Sequence, residues 1–172
     1  MIKTELGYFW PVTSPSGLKE LRWQQTPFCE PLSQENENVS HETLEQLHKY
    51  LSGRLTHFSI PIDFSHWSSA MTRWFNTLAL VRYGQTTSYQ GLAKQWGNIK
   101  AARAAGQACR KNPIPIIIPC HRILNTDGSI SQYSGGSREN PSSSKNLERK
   151  RWLLSENLER KRWLLDLEAK NS

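Results

Sequence analysis

Thr87-Ser-Tyr-Gln-Gly-Leu-Ala-Lys-Gln-Trp96, followed at once by Gly97-Asn98 and then by Ile99-Lys-Ala-Ala-Arg-Ala-Ala-Gly-Gln-Ala-Cys-Arg110, decides how this chain is read. Thr87 or Ser88 is suited to cap a short helix, and Gly97 is suited to end it, because a glycine enters the left-handed conformation without a Cβ clash. A second helix then starts after Asn98. Two short helices joined by Gly-Asn, the second of them basic, predict a helix-turn-helix. The second helix is rich in alanine and glycine (Ala101, Ala102, Ala104, Ala105, Gly106, Ala108), so much of its surface is close to bare backbone. Such a surface suits tight packing against a neighbouring helix. It also suits a DNA minor groove: an ordinary helix is about 10–12 Å across, the groove about 6 Å wide, and Arg103 is the one long side chain among the alanines.

Upstream, Met71, Trp74, Phe75, Leu78 and Val81 recur at helical spacing from about Trp67 until Tyr83-Gly84 ends the pattern, and these aromatics read as core. Further upstream, residues 5–24 read as two strands around the turn Pro15-Ser-Gly17, and residues 27–39 as a loop. A helix from His41 to Ser52 follows, capped by Ser40, stopped by Gly53 and facing the core with Leu44, Leu47 and Leu51. Phe58-Ser-Ile-Pro-Ile-Asp-Phe64 reads as another strand. The expectation is an α+β protein with a small α/β unit at 1–66 and a helix-turn-helix unit at 67–172.

Charge separates the same two regions. The chain carries +7 overall. Residues 1–66 hold five Lys/Arg against eight Asp/Glu, residues 67–136 eight against one, and residues 137–172 nine against six. Basic surface concentrated in the middle of a chain points to a polyanionic partner, against the plainer reading of a solvated charged face. No apolar run approaches the ~20 residues of a membrane span, and the N-terminus lacks a signal-peptide core. The protein is expected to be soluble, cytoplasmic and monomeric. Three scattered cysteines, Cys29, Cys109 and Cys120, form neither a disulfide framework nor a zinc-ligand pattern, so no metal is expected.

One of those cysteines has unusual surroundings. Asn112-Pro-Ile-Pro-Ile-Ile-Ile-Pro-Cys-His-Arg122 contains three prolines, which excludes a regular helix and predicts a rigid extended segment delivering Cys120 to a fixed place. A cysteine among isoleucines is by default an inert small hydrophobe. Its company of Asn112, His121 and Arg122, costly to bury without purpose, argues for a nucleophile instead. In an extended segment His121 and Cys120 point to opposite faces, so activation of the thiol calls for a turn or a bridging water.

With Tyr83-Gly-Gln-Thr-Thr-Ser-Tyr89 and Lys100-Ala-Ala-Arg-Ala104 before it and Tyr133-Ser-Gly-Gly136 after it, the Pro-Cys-His-Arg motif resembles the active-site signature of the O6-alkylguanine-DNA alkyltransferases. The resemblance covers residues 67–136 or so. It implies a ribonuclease H-like N-terminal domain, a winged helix-turn-helix catalytic domain, and the activity of a methylated-DNA–protein-cysteine S-methyltransferase working without a cofactor. Cys120 would take an alkyl group irreversibly from O6 of guanine, with O4-alkylthymine as a further substrate. The DNA would be double-stranded and approached from the minor groove. His121 would act on the thiol through a water, oriented by a glutamate, and Asn112 would brace the segment. Tyr89 would assist nucleotide rotation, Ile123, Tyr133 and Ser134 would help hold the flipped base, and Arg103 would fill the gap left in the duplex. Arg110, on the same helix as Arg103, joins the expected DNA contacts. The alternative is a non-catalytic helix-turn-helix protein that binds DNA or lesions.

The chain departs from the family pattern after Gly136. A Ser/Pro-containing stretch intervenes, and then Asn-Leu-Glu-Arg-Lys-Arg-Trp-Leu-Leu occurs twice, at 146–154 and 157–165, a repeat of eleven residues. Eleven residues are close to three helical turns, so both copies share a face of one helix. The family's orienting glutamate falls on Glu168 in the second copy and on Asn157 in the first, with Glu156 one place early; Glu168 is the expected residue.

Overall fold

The computed structural model describes residues 1–27, 34–131, 133 and 147–172, with the helical backbone alone for 147–154. The chain divides into two compact units, Met1–Trp67 and Ser68–Ser172. Among the described residues no helix is long and apolar enough to cross a membrane.

The first unit is built on an antiparallel sheet of β1 (Ile2–Thr4), β2 (Gly7–Ser14) and β3 (Gly17–Gln24), in that spatial order. Along β2, Gly7, Phe9, Pro11 and Thr13 alternate inward, the period-two pattern of a half-buried strand. Phe9 sits opposite Trp23 on β3, with ring centroids 4.8 Å apart and both side chains almost fully buried. The Trp23 indole N–H donates to Leu6 O at 2.7 Å, which removes the cost of burying it. Pro11 is tolerated in the middle strand because β1 pairs only with Gly7 to Phe9, leaving one neighbour at that level.

Helix α1 (Glu37–Leu51) starts four residues earlier than the sequence suggests. Its cap is Asn36, whose side chain accepts from Val39 N at 3.1 Å, while Ser40 lies inside the helix and its Oγ accepts from Gln34 Nε2. The buried stripe is accordingly Val39, Thr43, Leu47 and Tyr50, with Leu44 and Leu51 only half-buried. Gly53, at φ +71°, ends the helix as expected. The expected strand at 58–64 does not form. It touches the sheet through a single bridge, Leu18 to Ile62, with Leu18 N donating to Pro61 O at 2.8 Å and Asp63 N to Leu18 O at 3.0 Å. Pro61 has no N–H to extend the ladder. Gly17 is required at this contact, since a Cβ there would lie 2.5 Å from Pro61 O.

The second unit opens with α2 (Ser69–Ala79), capped by Ser68 and burying Trp74, Phe75, Thr77 and Leu78. The apolar periodicity outlasts the helix: Val81 is buried two residues past its end, in a turn, and Met71 is only half-buried. Next come β4 (Thr87–Ser88) and α3 (Tyr89–Trp96). Ser88 Oγ accepts from Gly91 N at 3.0 Å, and Gly97 at φ +108° closes the helix. Asn98 caps a 3-10 turn at Ile99–Ala101 that leads into α4 (Ala102–Lys111). The alanine-rich surface has two parts: Ala105 and Ala108 are fully buried, whereas Arg103 and Ala104 are exposed.

Residues 112–119 correct a second expectation. Instead of running extended, the segment doubles back, with Ile118 N donating to Ile114 O at 2.9 Å and Ile116 at φ +74°. Ile114, Ile116 and Ile118 are all buried, and satisfying that apolar run from a proline-restricted backbone forces the bend. Cys120–Arg122 then form a 3-10 turn that flows into β5 (Ile123–Leu124), which pairs in parallel with β4. This pairing ties the start of α3 to the cysteine segment. The last element is α5 (Leu147–Lys170), one continuous helix through the described residues of both copies of the repeat.

Candidate active site

Asn112 sits just past α4 and holds the doubled-back segment from inside. Its Nδ2 donates to Ile118 O at 2.7 Å and to Cys120 Sγ at 3.0 Å, and its Oδ1 accepts from Ile114 N at 3.0 Å. One side chain thereby fixes both the loop and the sulfur. Cys120 is 4% exposed, and burial pushes its thiol pKa up against the opposing pull of the Asn112 hydrogen bond and the Lys161 charge. At neutral pH the group is a thiol and requires a base.

The 3-10 turn replaces the strand geometry expected at Cys120 and His121, so the opposite-face argument no longer applies. His121 is fully buried, and its Nε2 lies 2.7 Å from Glu168 Oε1 on α5. Burial pushes the Glu168 pKa up, but hydrogen bonds and charges from His121 and Arg122 outweigh it and hold the carboxyl at about 2. The permanent charge of Arg122 alone favours that direction. Burial in turn lowers the His121 pKa, against the pull of Glu168. An ionised Glu168 can only accept, so Nε2 carries the imidazole proton and Nδ1 carries the lone pair. His121 is therefore a neutral base oriented by a carboxylate.

Arg122 completes the cluster. Its Nε and Nη2 reach Glu168 at 2.9–3.0 Å, its Nη1 donates to Val81 O at 2.5 Å, and Gly84 N donates to Glu168 Oε2 at 3.1 Å. These contacts explain which copy of the repeat docks. The first copy would offer Asn157 where the second offers Glu168, leaving the Arg122 guanidinium buried without its carboxylate. Breaking a buried pair in that way costs about 3–5 kcal/mol. Glu156 is occupied elsewhere, accepting from Arg160 Nη2 at 2.9 Å.

Lys161, also from the second copy, is fully buried and was missed by sequence reasoning. Its Nζ donates to Ile123 O at 2.5 Å and to Ser131 Oγ at 3.0 Å, and Ser131 Oγ lies 2.7 Å from Tyr89 Oη. Burial lowers the Lys161 pKa to about 8 and raises that of Tyr89 to about 12. The clue was present in the helix period: Asn157, Lys161, Leu164 and Glu168 fall at i, i+4, i+7 and i+11, and all four are buried. A search for apolar stripes passes over a face built mostly from polar residues.

The structure brings Cys120, His121, Asn112 and Glu168 together. Tyr89, Ile123 and the buried Tyr133 belong to the same unit, with Tyr89 joined to Ile123 through Ser131 and Lys161. Arg103 and Arg110 are exposed on α4, and Ser134 lies outside the described residues. Among the described residues no group of three His, Cys, Asp or Glu side chains is placed to hold a metal.

A small sheet unit followed by a helical unit, with one buried, amide-braced cysteine next in sequence to a histidine paired with a carboxylate, defines a two-unit protein built around a single cysteine. Residues 70–170 match the family model described as "6-O-methylguanine DNA methyltransferase, DNA binding domain". The chain belongs to this family. It is 50% identical over 78 residues to the mouse methylated-DNA–protein-cysteine methyltransferase, covering 45% of this chain but only 33% of the mouse protein. It is 39% identical over 121 residues to the protein of that name from Mycolicibacterium paratuberculosis, covering 70% of this chain and 67% of the relative. Among solved structures it resembles Mycobacterium tuberculosis OGT in complex with DNA, with a TM-score of 0.76 and 30% identity over 99% of this chain and 92% of that one. The M. tuberculosis O6-methylguanine methyltransferase gives a TM-score of 0.72 at 28% identity, covering 99% of this chain and 92% of that one. The N-terminal sheet domain and helical C-terminal domain follow the topology of these structures.

Proposed function

We propose that this protein repairs DNA by moving an alkyl group from O6 of guanine, and secondarily from O4 of thymine, onto Cys120 in a single irreversible event. The observation that carries the reading is the set Asn112–Cys120 and His121–Glu168: a buried thiol fixed by an amide, with a neutral imidazole oriented as a base beside it. In the reaction the thiol proton passes through a water to His121 Nδ1, and the imidazolium formed is stabilised by Glu168. The sulfur displaces the alkyl carbon, the carbon–oxygen bond breaks, and its electron pair stays on the guanine. The thioether has no route back to a thiol, so each molecule reacts once and no cofactor is called for.

O6 of a paired guanine is buried in the base stack, so the base must be flipped out, at a cost of a few kcal/mol that is smallest for a badly paired lesion. Exposed Lys94, Lys100, Arg103, Arg110 and Lys111 on and around α3 and α4 supply phosphate contacts. In this reading the pair α3–α4 is a winged helix-turn-helix entering the minor groove, with Arg103 filling the vacated stack. Tyr89, Ile123, Tyr133 and Ser134 surround the flipped base. The first unit is a ribonuclease H-like support, and the protein works as a cytoplasmic monomer, where a reducing environment keeps Cys120 competent.

The test is intact-protein mass spectrometry after incubation with a duplex containing O6-methylguanine. The expected result is a gain of one methyl group that maps to the Cys120 peptide and saturates at one equivalent, and that vanishes in Cys120→Ser. DNA binding without mass gain would instead mark a lesion-binding module, and continued turnover a hydrolase.

A further inference from the structure

Four groups form an unbroken hydrogen-bonded chain separate from the His121–Glu168 pair: Ile123 O, Lys161 Nζ, Ser131 Oγ and Tyr89 Oη. The transfer chemistry above leaves Lys161 and Ser131 without a task. Yet burying an ammonium completely is expensive unless its hydrogen bonds matter. The chemistry of the links fixes the direction of the chain. A protonated lysine only donates, so Ser131 Oγ accepts from Lys161. The single serine hydrogen then has two acceptors in view. Ile123 O is 3.5 Å away and already takes the Lys161 hydrogen at 2.5 Å, whereas Tyr89 Oη is 2.7 Å away. The shorter and unshared contact wins. Ser131 therefore donates to Tyr89, which leaves the phenol hydrogen of Tyr89 for a partner outside the chain. Burial also raises the Tyr89 pKa, so that hydrogen stays in place. Gly106 on α4 lies against the ring: a Cβ at that position would be in van der Waals contact with it, 3.9 Å from Tyr89 Cε1.

We propose that Ser131 is a positioning residue that holds Tyr89 as a hydrogen-bond donor to the flipped base, by passing on the polarity set by Lys161. This deepens the transfer reading and rests on it, in particular on the base lying against Tyr89. When the alkyl carbon–oxygen bond breaks, the electron pair left on O6 spreads over the guanine ring nitrogens. A fixed O–H donor stabilises that charge as it develops, without any proton having to leave Tyr89. If Tyr89 instead donated to Ser131, its oxygen lone pairs would face the ring and oppose the same charge.

The experiment is single-turnover methyl transfer from the O6-methylguanine duplex, with lesion affinity measured separately in a Cys120→Ala background. Ser131→Ala is expected to slow transfer about tenfold, the size of one hydrogen bond to a developing charge, while shifting affinity less than twofold. Ser131→Thr, which keeps the hydroxyl, should stay within about threefold of wild type. In a Tyr89→Phe background Ser131→Ala should change the rate less than twofold, because the hydrogen it steers is gone. A wild-type rate in Ser131→Ala overturns the proposal, as does a loss confined to binding or a full tenfold loss in Tyr89→Phe. A wild-type protein that gains no methyl mass overturns the transfer reading itself, an outcome distinct from these three.

Discussion

The two units bury polar groups in opposite ways. In the first, the core includes Phe9, Leu18, Leu21, Trp23, Leu47 and Tyr50, and the one buried acid among the described residues, Asp63, is satisfied by Ser14 Oγ at 2.5 Å and Ser65 N at 2.8 Å. In the second, His121, Arg122, Arg160, Lys161 and Glu168 are all buried, with Lys161 acting on Cys120 and with Glu168 and Arg122 acting on the histidine that follows it. Hydroxyls and backbone amides suffice when a buried carboxylate only has to be accommodated. Long cations and an imidazole carry side-chain entropy and desolvation costs that apolar residues of similar size avoid. Their concentration in one unit marks where the chain has kept charge for chemistry.

Breaking the charged core should produce the largest effect. Arg122→Ala leaves Glu168 buried against a neutral histidine, and it is expected to lower the stability of the second unit by about 3–5 kcal/mol in chemical denaturation. The transition of the first unit should move far less; an equal shift in both would show that the charge network is not local to the second. Next in size is the contrast within the repeat. Glu168→Gln, assayed where circular dichroism shows the protein folded, should slow methyl transfer about a hundredfold through loss of an oriented base. Glu156→Gln should change it less than threefold, and comparable losses would mean that Glu168 is not the orienting carboxylate.

The smallest effect separates the units by pH. Asp63, held at about 2 by Ser14 and Ser65, stabilises the first unit above its ordinary value of 3.8, and that contribution is lost as the pH falls from there towards 2. Lys161 has the opposite sense. Its pKa falls from 10.5 to about 8 on folding, so the unfolded chain binds more protons between those values and the second unit gains stability as pH rises through that window. Thermal melts from pH 7 to 9 should show the rise in wild type and lose it in Lys161→Met; above the ordinary thiol value of 9.0 the buried thiol of Cys120, whose pKa is raised, acts in the opposite sense. Asp63→Asn should flatten only the acid limb, by about 1 kcal/mol.

Much of this was legible in the sequence where a single residue type answers a single local need. Ser88 caps, Gly97 closes a helix and Gly53 ends another because those positions demand an acceptor or a left-handed backbone. Asn112 and Cys120 were readable because polar residues stood out among isoleucines. What escaped depended on partners distant in the chain. Asn36 displaced Ser40 as cap because Gln34 occupies the Ser40 hydroxyl. Residues 58–64 have strand-like composition, but Pro61 limits them to one bridge. Residues 112–119 read as extended on their prolines, yet the burial of Ile114, Ile116 and Ile118 bends them back. Lys161 and Ser131 acquire meaning only once α5 is docked, 38 residues beyond Ile123 in the case of the Lys161 contact.

Helix α5 carries Lys161 and Glu168 seven residues apart on one face, about 10 Å along a rigid rod. Their targets are equally fixed, Ile123 and Ser131 for the ammonium, His121 and Arg122 for the carboxylate. No rotation or slide of the helix can release one without disturbing the other. The two ends of the site are therefore mechanically coupled: a displacement of the helix that loosens the ammonium from Ile123 and Ser131 also pulls the carboxylate from His121 and Arg122.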